Sequence, residues 1–187
     1  MREPTQEIEI KFRIDGAIQS LTAKLQSAGF HLITPRTHEM NTAYDLPARD
    51  LRSRGCLLRL RRYGDKWTLT FKDKGSSNAK HKSRPEIETQ IENGPGIAQI
   101  LDALGFQPVF SYEKFRSEWS DGKGHVVIDE TPIGDFGEIE GEPDWIDGVA
   151  SQLGLLEHEY IKTSYSELFQ EWKRRTGSTA SNMLFSK

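Results

Sequence analysis

The chain has 187 residues, enough for one domain with a sizeable core and short for two. Its net charge of −3 hides an asymmetry: 17 Lys and Arg stand against 9 Asp and Glu in residues 1–84, and 8 against 19 in residues 85–187. That balance argues against a nucleic-acid partner, which needs a net basic surface, while the basic first half suits a smaller anion. The single cysteine, Cys56, excludes an intramolecular disulfide and a thiolate metal cluster. With no apolar run after Met1 and none of bilayer-spanning length, a cytoplasmic protein without membrane association is expected.

The opening segment Glu7-Ile8-Glu9-Ile10-Lys11-Phe12-Arg13-Ile14 reads as a strand. With a period of two, Ile8, Ile10, Phe12 and Ile14 share one face, and Glu7, Glu9, Lys11 and Arg13 share the other. Asp15 offers an N-cap to a helix that buries Ile18, Leu21 and Leu25 and stops at Gly29. Alternating strands follow at Leu58-Arg59-Leu60-Arg61, where Cys56 opens an apolar stretch and is expected to be buried, and at Lys66–Lys72. The polar run Asp73–Arg84, with Gly75, Ser76, Ser77 and Asn78, predicts a loop whose Lys80, His81, Lys82 and Arg84 either face solvent or flank an anion entrance. Glu86–Glu92 alternates again, and a helix near Pro95 is expected to bury Ile97, Ile100, Leu101 and Leu104 before Gly105. Strands recur at Lys114–Trp119, at His125–Ile128 with Asp129 at its end, and at Glu138–Glu142; a helix over Ile146–Leu153 stops near Gly154. The repeated phrases Ala28-Gly29-Phe30 and Leu104-Gly105-Phe106, each before an apparent strand, suggest an internal duplication. The last helix carries a capping-box spacing, Ser164 and Glu167, and a Tyr165, Leu168, Phe169, Trp172 stripe read as core packing. One domain over residues 1–176 results, with a frayed tail over 177–187. Antiparallel strands with interspersed helices make the class α+β.

For any single segment, charges at every second position are simply a solvated strand face. Recurrence shifts the reading. The charged positions sort into acid pairs, Glu7/Glu9, Glu86/Glu88 and Glu138/Glu140, and base pairs, Arg59/Arg61 and Lys114/Arg116. Like charges two apart on one face repel, so their repetition implies ligands of opposite sign. Carboxylate pairs suit a hard divalent cation, Mg²⁺ or Mn²⁺, and Asp129 adds a further oxygen ligand. Lys11, Arg59, Arg61, Lys72, Lys114, Arg116 and Lys162 suit the oxygens of a triphosphate. No phosphate-binding Gly-rich loop, nucleophile elbow or His-Glu-x-x-His helix competes with this reading.

Glu7-Ile8-Glu9-Ile10-Lys11 resembles the Glu-x-Glu-x-Lys signature of the CYTH superfamily, the triphosphate tunnel metalloenzymes. Tyr44-Asp45, Leu58–Arg61, Thr70-Phe71-Lys72, Glu86-Ile87-Glu88, Lys114-Phe115-Arg116, Ile128-Asp129, Gly134–Glu140 and Lys162–Ser166 follow in the family's order, covering about residues 6–170. The resemblance implies an eight-stranded antiparallel β-barrel with flanking helices, a tunnel whose acids hold metal and whose bases hold the triphosphate. Glu7, Glu9, Asp129, Glu138 and Glu140 then form the metal side, with Glu7, Glu9, Glu138 and Glu140 supporting catalysis. Lys11, Arg59, Arg61, Lys72, Lys114, Arg116 and Lys162 form the phosphate side, and Glu86 and Glu88 are additional acids. Hydrolysis of an inorganic, thiamine or nucleoside triphosphate is the expected activity, because both members of each charged pair are present. Cyclisation of ATP by a class IV adenylyl cyclase is the alternative, and a triphosphate- or RNA-binding module without turnover is the third. Monomer and homodimer both remain open.

Overall fold

The structure, a computed structural model, describes residues 5–75 and 80–186. Ser76, Ser77 and Asn78 of the expected loop therefore lie outside the described residues. The strands are β1 (Thr5–Arg13), β2 (His31–Asp45), β3 (Leu57–Tyr63), β4 (Lys66–Lys72), β5 (Lys82–Ile91), β6 (Gln107–Ser120), β7 (His125–Thr131) and β8 (Gly134–Glu140). They close into an antiparallel barrel in the order β1-β5-β4-β3-β2-β6-β7-β8. The helices are α1 (Ile18–Ser27), α2 (Asp50–Ser53), α3 (Gly94–Ala103), α4 (Pro143–Leu153) and α5 (Tyr165–Thr176), with a short 3₁₀ turn at Glu157–Glu159.

Exchanging β1–β4 for β5–β8 maps this pairing order onto itself, so the barrel has an internal two-fold topology. The repeated phrases sit at equivalent points of the two halves. Gly29 and Gly105 both take a left-handed φ, 86° and 85°, which lets Phe30 N–H reach back to Leu25 and Phe106 N–H to Leu101. Each closure turns a helix into one of the two longest strands, β2 and β6, which pair with each other.

The barrel is inside-out relative to an ordinary small barrel. The apolar faces point outward, beneath the helices, and the charged faces point inward. Ile10 and Phe12 of β1 join Val126, Ile128 and Ile139 under α1 and α4, where Leu25, Ile146, Val149 and Leu153 complete a core. A second cluster lies under α5, built on Phe136, Leu168 and Phe169, and a third joins Tyr44 and Leu60 to Leu101 of α3. Gly137 is required by this packing: a Cβ there would lie 2.1 Å from the Phe12 ring on the paired strand.

Several local expectations need correction. Ala17, not Asp15, is the N-cap of α1, and it makes no side-chain cap bond. On α3, Leu101 is buried and Ile97 packs beside it, but Ile100 and Leu104 are 54% and 65% exposed. Ile100 falls to the solvent side of the contact stripe, and Leu104 is the C-cap residue beyond it. The tail expected to fray is docked instead. Met183 is fully buried and pairs with Tyr112, because β7 ends opposite Phe115 and leaves the earlier part of β6 with backbone groups to satisfy. The capping box of α5 forms as read, with Ser164 accepting from Glu167 N–H and Glu167 accepting from Ser164 N–H.

Candidate functional site

Strand alternation brings the inward charges to one cavity of about 760 Å³, within the roughly 300–1,000 Å³ range of small-molecule sites. Lys11, Arg59, Arg61, Lys72, Lys114, Arg116 and Lys162 all line it, as do Glu7, Glu9, Glu86, Glu88, Glu138 and Glu140. Register sets the order along the walls. Arg59 faces Ala43 and Thr70, Arg61 faces Asn41 and Thr68, and Lys114 faces Glu39. On the opposite wall Glu9 faces Glu140, and Lys11 faces Glu138.

The two signs are interleaved by short ion pairs. Lys11 Nζ lies 2.6 Å from Glu138 Oε1, and Arg116 Nη2 lies 2.5 Å from Glu138 Oε2. Lys72 Nζ bonds Glu7 at 2.5 Å and Glu86 at 3.0 Å, Lys82 Nζ bonds Glu9 at 2.6 Å, and Arg61 bonds Glu88 at 3.0 Å. Burial pushes the Glu138 carboxyl up, but Lys11, Arg116 and Lys114 hold it well below the usual range. Burial likewise opposes ionisation of Glu9, and Lys11, Lys82 and Lys72 overcome it, holding the group at about 2. The Nε atoms of Arg59 and Arg61 are buried and have no hydrogen-bond partner, so each keeps a donor for a ligand oxygen.

Asp129 is placed differently from the other acids. It is fully buried and absent from the cavity lining. It accepts from Lys114 Nζ at 2.9 Å, from Arg116 Nε and Nη2 at 2.7 and 2.6 Å, and from the Tyr165 hydroxyl at 2.6 Å. With its lone pairs occupied, it anchors the phosphate-side cations from behind. Glu39, which sequence reasoning missed, does similar work. It is fully buried, 3.4 Å from Lys114 Nζ and 3.9 Å from Arg116 Nε, and accepts from Asn41 Nδ2. Burial raises its carboxyl, but Lys114, Arg116, Arg61 and Arg59 bring it down to about 2. Its alternation with Asn41 and Ala43 along β2 was the available signal. Tyr165 was read only as core; it also lines the cavity, its ring 4.7 Å from Lys11 Nζ and 4.9 Å from Lys114 Nζ. The loop cations divide: Lys82 and Arg84 line the cavity, whereas Lys80 and His81 bond Asp147 of α4 at 3.0 and 2.8 Å.

Glu140 decides whether these acids fit a metal. It makes no ion pair or hydrogen bond with any described residue. Burial, then repulsion from Glu7, Glu9 and Glu138, raises its carboxyl to about 7. Such a group lacks a positive partner, and hard carboxylate oxygens suit a divalent cation. Among the described residues no three acids or histidines converge closely enough to hold a metal as they stand, because Glu7, Glu9 and Glu138 are drawn to lysines and Arg116. The donor set therefore fits, provided a ligand takes over those cations.

Known proteins carry the same architecture. A candidate adenylate cyclase of Methanocaldococcus jannaschii is 27% identical over 173 residues, spanning 87% of this chain and 97% of that protein. The solved structure of the PH1819 protein from Pyrococcus horikoshii aligns with a TM-score of 0.72 and 27% identity over 88% of this chain and 98% of its own. HpAC1 of Hippeastrum, a candidate adenylyl cyclase described as having a dominant triphosphatase activity, aligns with a TM-score of 0.65 at 23% identity, over 88% and 95% of the two chains. Among the described residues, no helix is long and apolar enough to cross a membrane. The CYTH domain family matches residues 5–165. The chain therefore belongs to the CYTH domain family, whose members are triphosphatases or adenylyl cyclases acting on triphosphates, generally with a divalent metal.

Proposed function

We propose that the protein is a divalent-metal-dependent triphosphatase whose substrate lies between the two walls of the barrel. The observation that carries this reading is the matched interior: the tunnel cations are held by tunnel acids, and Glu140 is the acid without a cation. A pure anion-binding site would gain nothing from clustered carboxylates. A triphosphate would compete with Glu7, Glu9 and Glu138 for Lys72, Lys82, Lys11 and Arg116, and so free those carboxylates. Mg²⁺ or Mn²⁺ held by Glu7, Glu9, Glu138 and Glu140 would then neutralise phosphate oxygens and polarise phosphorus.

The residues of the chain do the rest by position. Asp129 and Glu39 hold Lys114 and Arg116 in place before substrate arrives, so those charges need little reorganisation. The Nε donors of Arg59 and Arg61 meet phosphate oxygens with fixed geometry. Phosphoryl transfer asks little more of a protein than such positioning and charge neutralisation. The intact pairs Arg59/Arg61 and Glu138/Glu140 favour attack by water on a terminal phosphorus over cyclisation.

Incubation with ATP and Mg²⁺, followed by separation of orthophosphate, pyrophosphate and cyclic AMP, tests the reading. Orthophosphate release that stops in excess chelator is expected. Cyclic AMP with pyrophosphate would establish the cyclase instead. Turnover unchanged by chelator would overturn the metal assignment, and no product from ATP, thiamine triphosphate or tripolyphosphate would leave a binding module.

A further inference from the structure

One part of the cavity wall carries no charge. Across β6, β2 and β3, Phe110 pairs with Ala43, and Ala43 pairs with Arg59. Phe110, Ala43 and Leu57 all line the cavity. Ala43 presents only a methyl group, so a shelf remains beside the Phe110 ring where a longer side chain would intrude. The ring itself is braced. Phe169 of α5 lies 5.6 Å from it, and Tyr112 stacks alongside at 5.5 Å with planes 21° apart. Tyr112 is stacked in turn on Tyr165, at 6.1 Å. A ring held in this way receives another ring without first being ordered.

Its position follows from strand geometry. Phe110 lies two residues from Tyr112, whose row contains Arg61, and four from Lys114. At about 3.4 Å per residue these steps are roughly 7 and 14 Å. A triphosphate spanning Arg61 to Lys114 therefore carries any group esterified to its outer end to Phe110. Arg49 lines the same cavity and is exposed. It is the one non-glycine residue with positive φ, 60°, among the described residues. Its loop is fixed by Asp45, 3% exposed, whose carboxylate accepts from Leu46, Leu51 and Arg52 N–H at 2.8, 3.0 and 3.0 Å. Arginine's planar guanidinium can cover a ring face and touch a phosphate at once.

We infer that this end of the cavity is a slot for a planar heteroaromatic group carried on the triphosphate, stacked on Phe110 above Ala43 and covered by Arg49. The inference rests on the triphosphate reading and holds equally for hydrolysis and cyclisation. It assigns the substrate to the aromatic-headed triphosphates rather than the inorganic ones.

The test is titration calorimetry in Mg²⁺ with the β,γ-imido analogues of ATP and UTP, and with methyl triphosphate, which keeps the esterified end but lacks a ring. At least one nucleotide analogue should bind the wild type about tenfold or more tighter than methyl triphosphate, the scale of a base–aromatic stack. Phe110→Ala and Ala43→Leu should each abolish that advantage while leaving methyl triphosphate affinity within about twofold, which also shows that the variants fold. Tight methyl triphosphate binding with no nucleotide advantage overturns the slot and spares the proposed function. Equal weakening of both ligands by both variants also overturns the slot. Binding of neither ligand overturns the proposed function and the slot with it.

Discussion

Glu140 is distinguished from Glu7, Glu9 and Glu138 by its neighbours, not by its place in the sequence pattern. Its carboxyl is raised to about 7, first by burial and then by the other three acids. Since its ordinary value is 4.5, the unfolded chain releases this proton at lower pH than the folded one. Stability from this group therefore declines as pH rises from about 4.5 to about 7. Glu140→Gln, measured by thermal unfolding in chelator, should melt above the wild type at pH 8 and close to it at pH 4.5; no difference at pH 8 would mean that the acids do not share one field. Alternation told which side chains face inward, because a period of two is a property of the strand. It could not tell what each one meets. Asp129 looked like a ligand, yet its partners Lys114, Arg116 and Tyr165 lie 15, 13 and 36 residues away on β6 and α5. Only register and helix docking bring those donors together.

The elements read most clearly where pattern and punctuation agree. The alternating charged strands, the glycine stops after α1 and α3, and the capping box of α5 all have local causes. The C-terminal segment has no such mark, since Ser178, Thr179, Ser181 and Asn182 read as a polar tail. Its order comes from an unmet need elsewhere. Ser111 N–H donates to Asn182 Oδ1 at 2.9 Å, Met183 N–H donates to Ser111 O at 3.0 Å, and Glu113 N–H donates to Met183 O at 3.0 Å. These bonds occupy the side of β6 that β7 does not reach. Met183 then fills a space beside Tyr112, Tyr165 and Phe169. Met183→Ala should cost about 2–5 kcal/mol, the range for emptying a buried site, and lower the melting temperature accordingly. A loss within experimental error would mean that the segment rests on the barrel without supporting it. Because Tyr165 also braces Tyr112 and reaches Asp129, the same variant is a probe of how the tail supports the cavity wall.

At the scale of the whole molecule, the fold places its charge where most proteins place their core. Buried ions carry a desolvation cost that pairing only partly offsets, and truncating one partner leaves the other exposed to that cost. Helices provide the stability that the interior does not, since α1 and α4 cover one apolar flank of the barrel while α3 and α5 cover others. The interior is thereby free to be optimised for a ligand. A chain of three phosphates can engage Arg59 and Arg61 on β3 together with Lys114 and Arg116 on β6, drawing both walls into one network. A single phosphate engages one row at a time. Tripolyphosphate with Mg²⁺ should therefore raise the melting temperature, by mass action worth about 2.7 kcal/mol at a ligand concentration a hundredfold above its dissociation constant. Orthophosphate with Mg²⁺ at the same concentration should shift it far less. Scanning calorimetry with the two ligands side by side measures the difference, and equal shifts at saturation would contradict a site built for a phosphate chain.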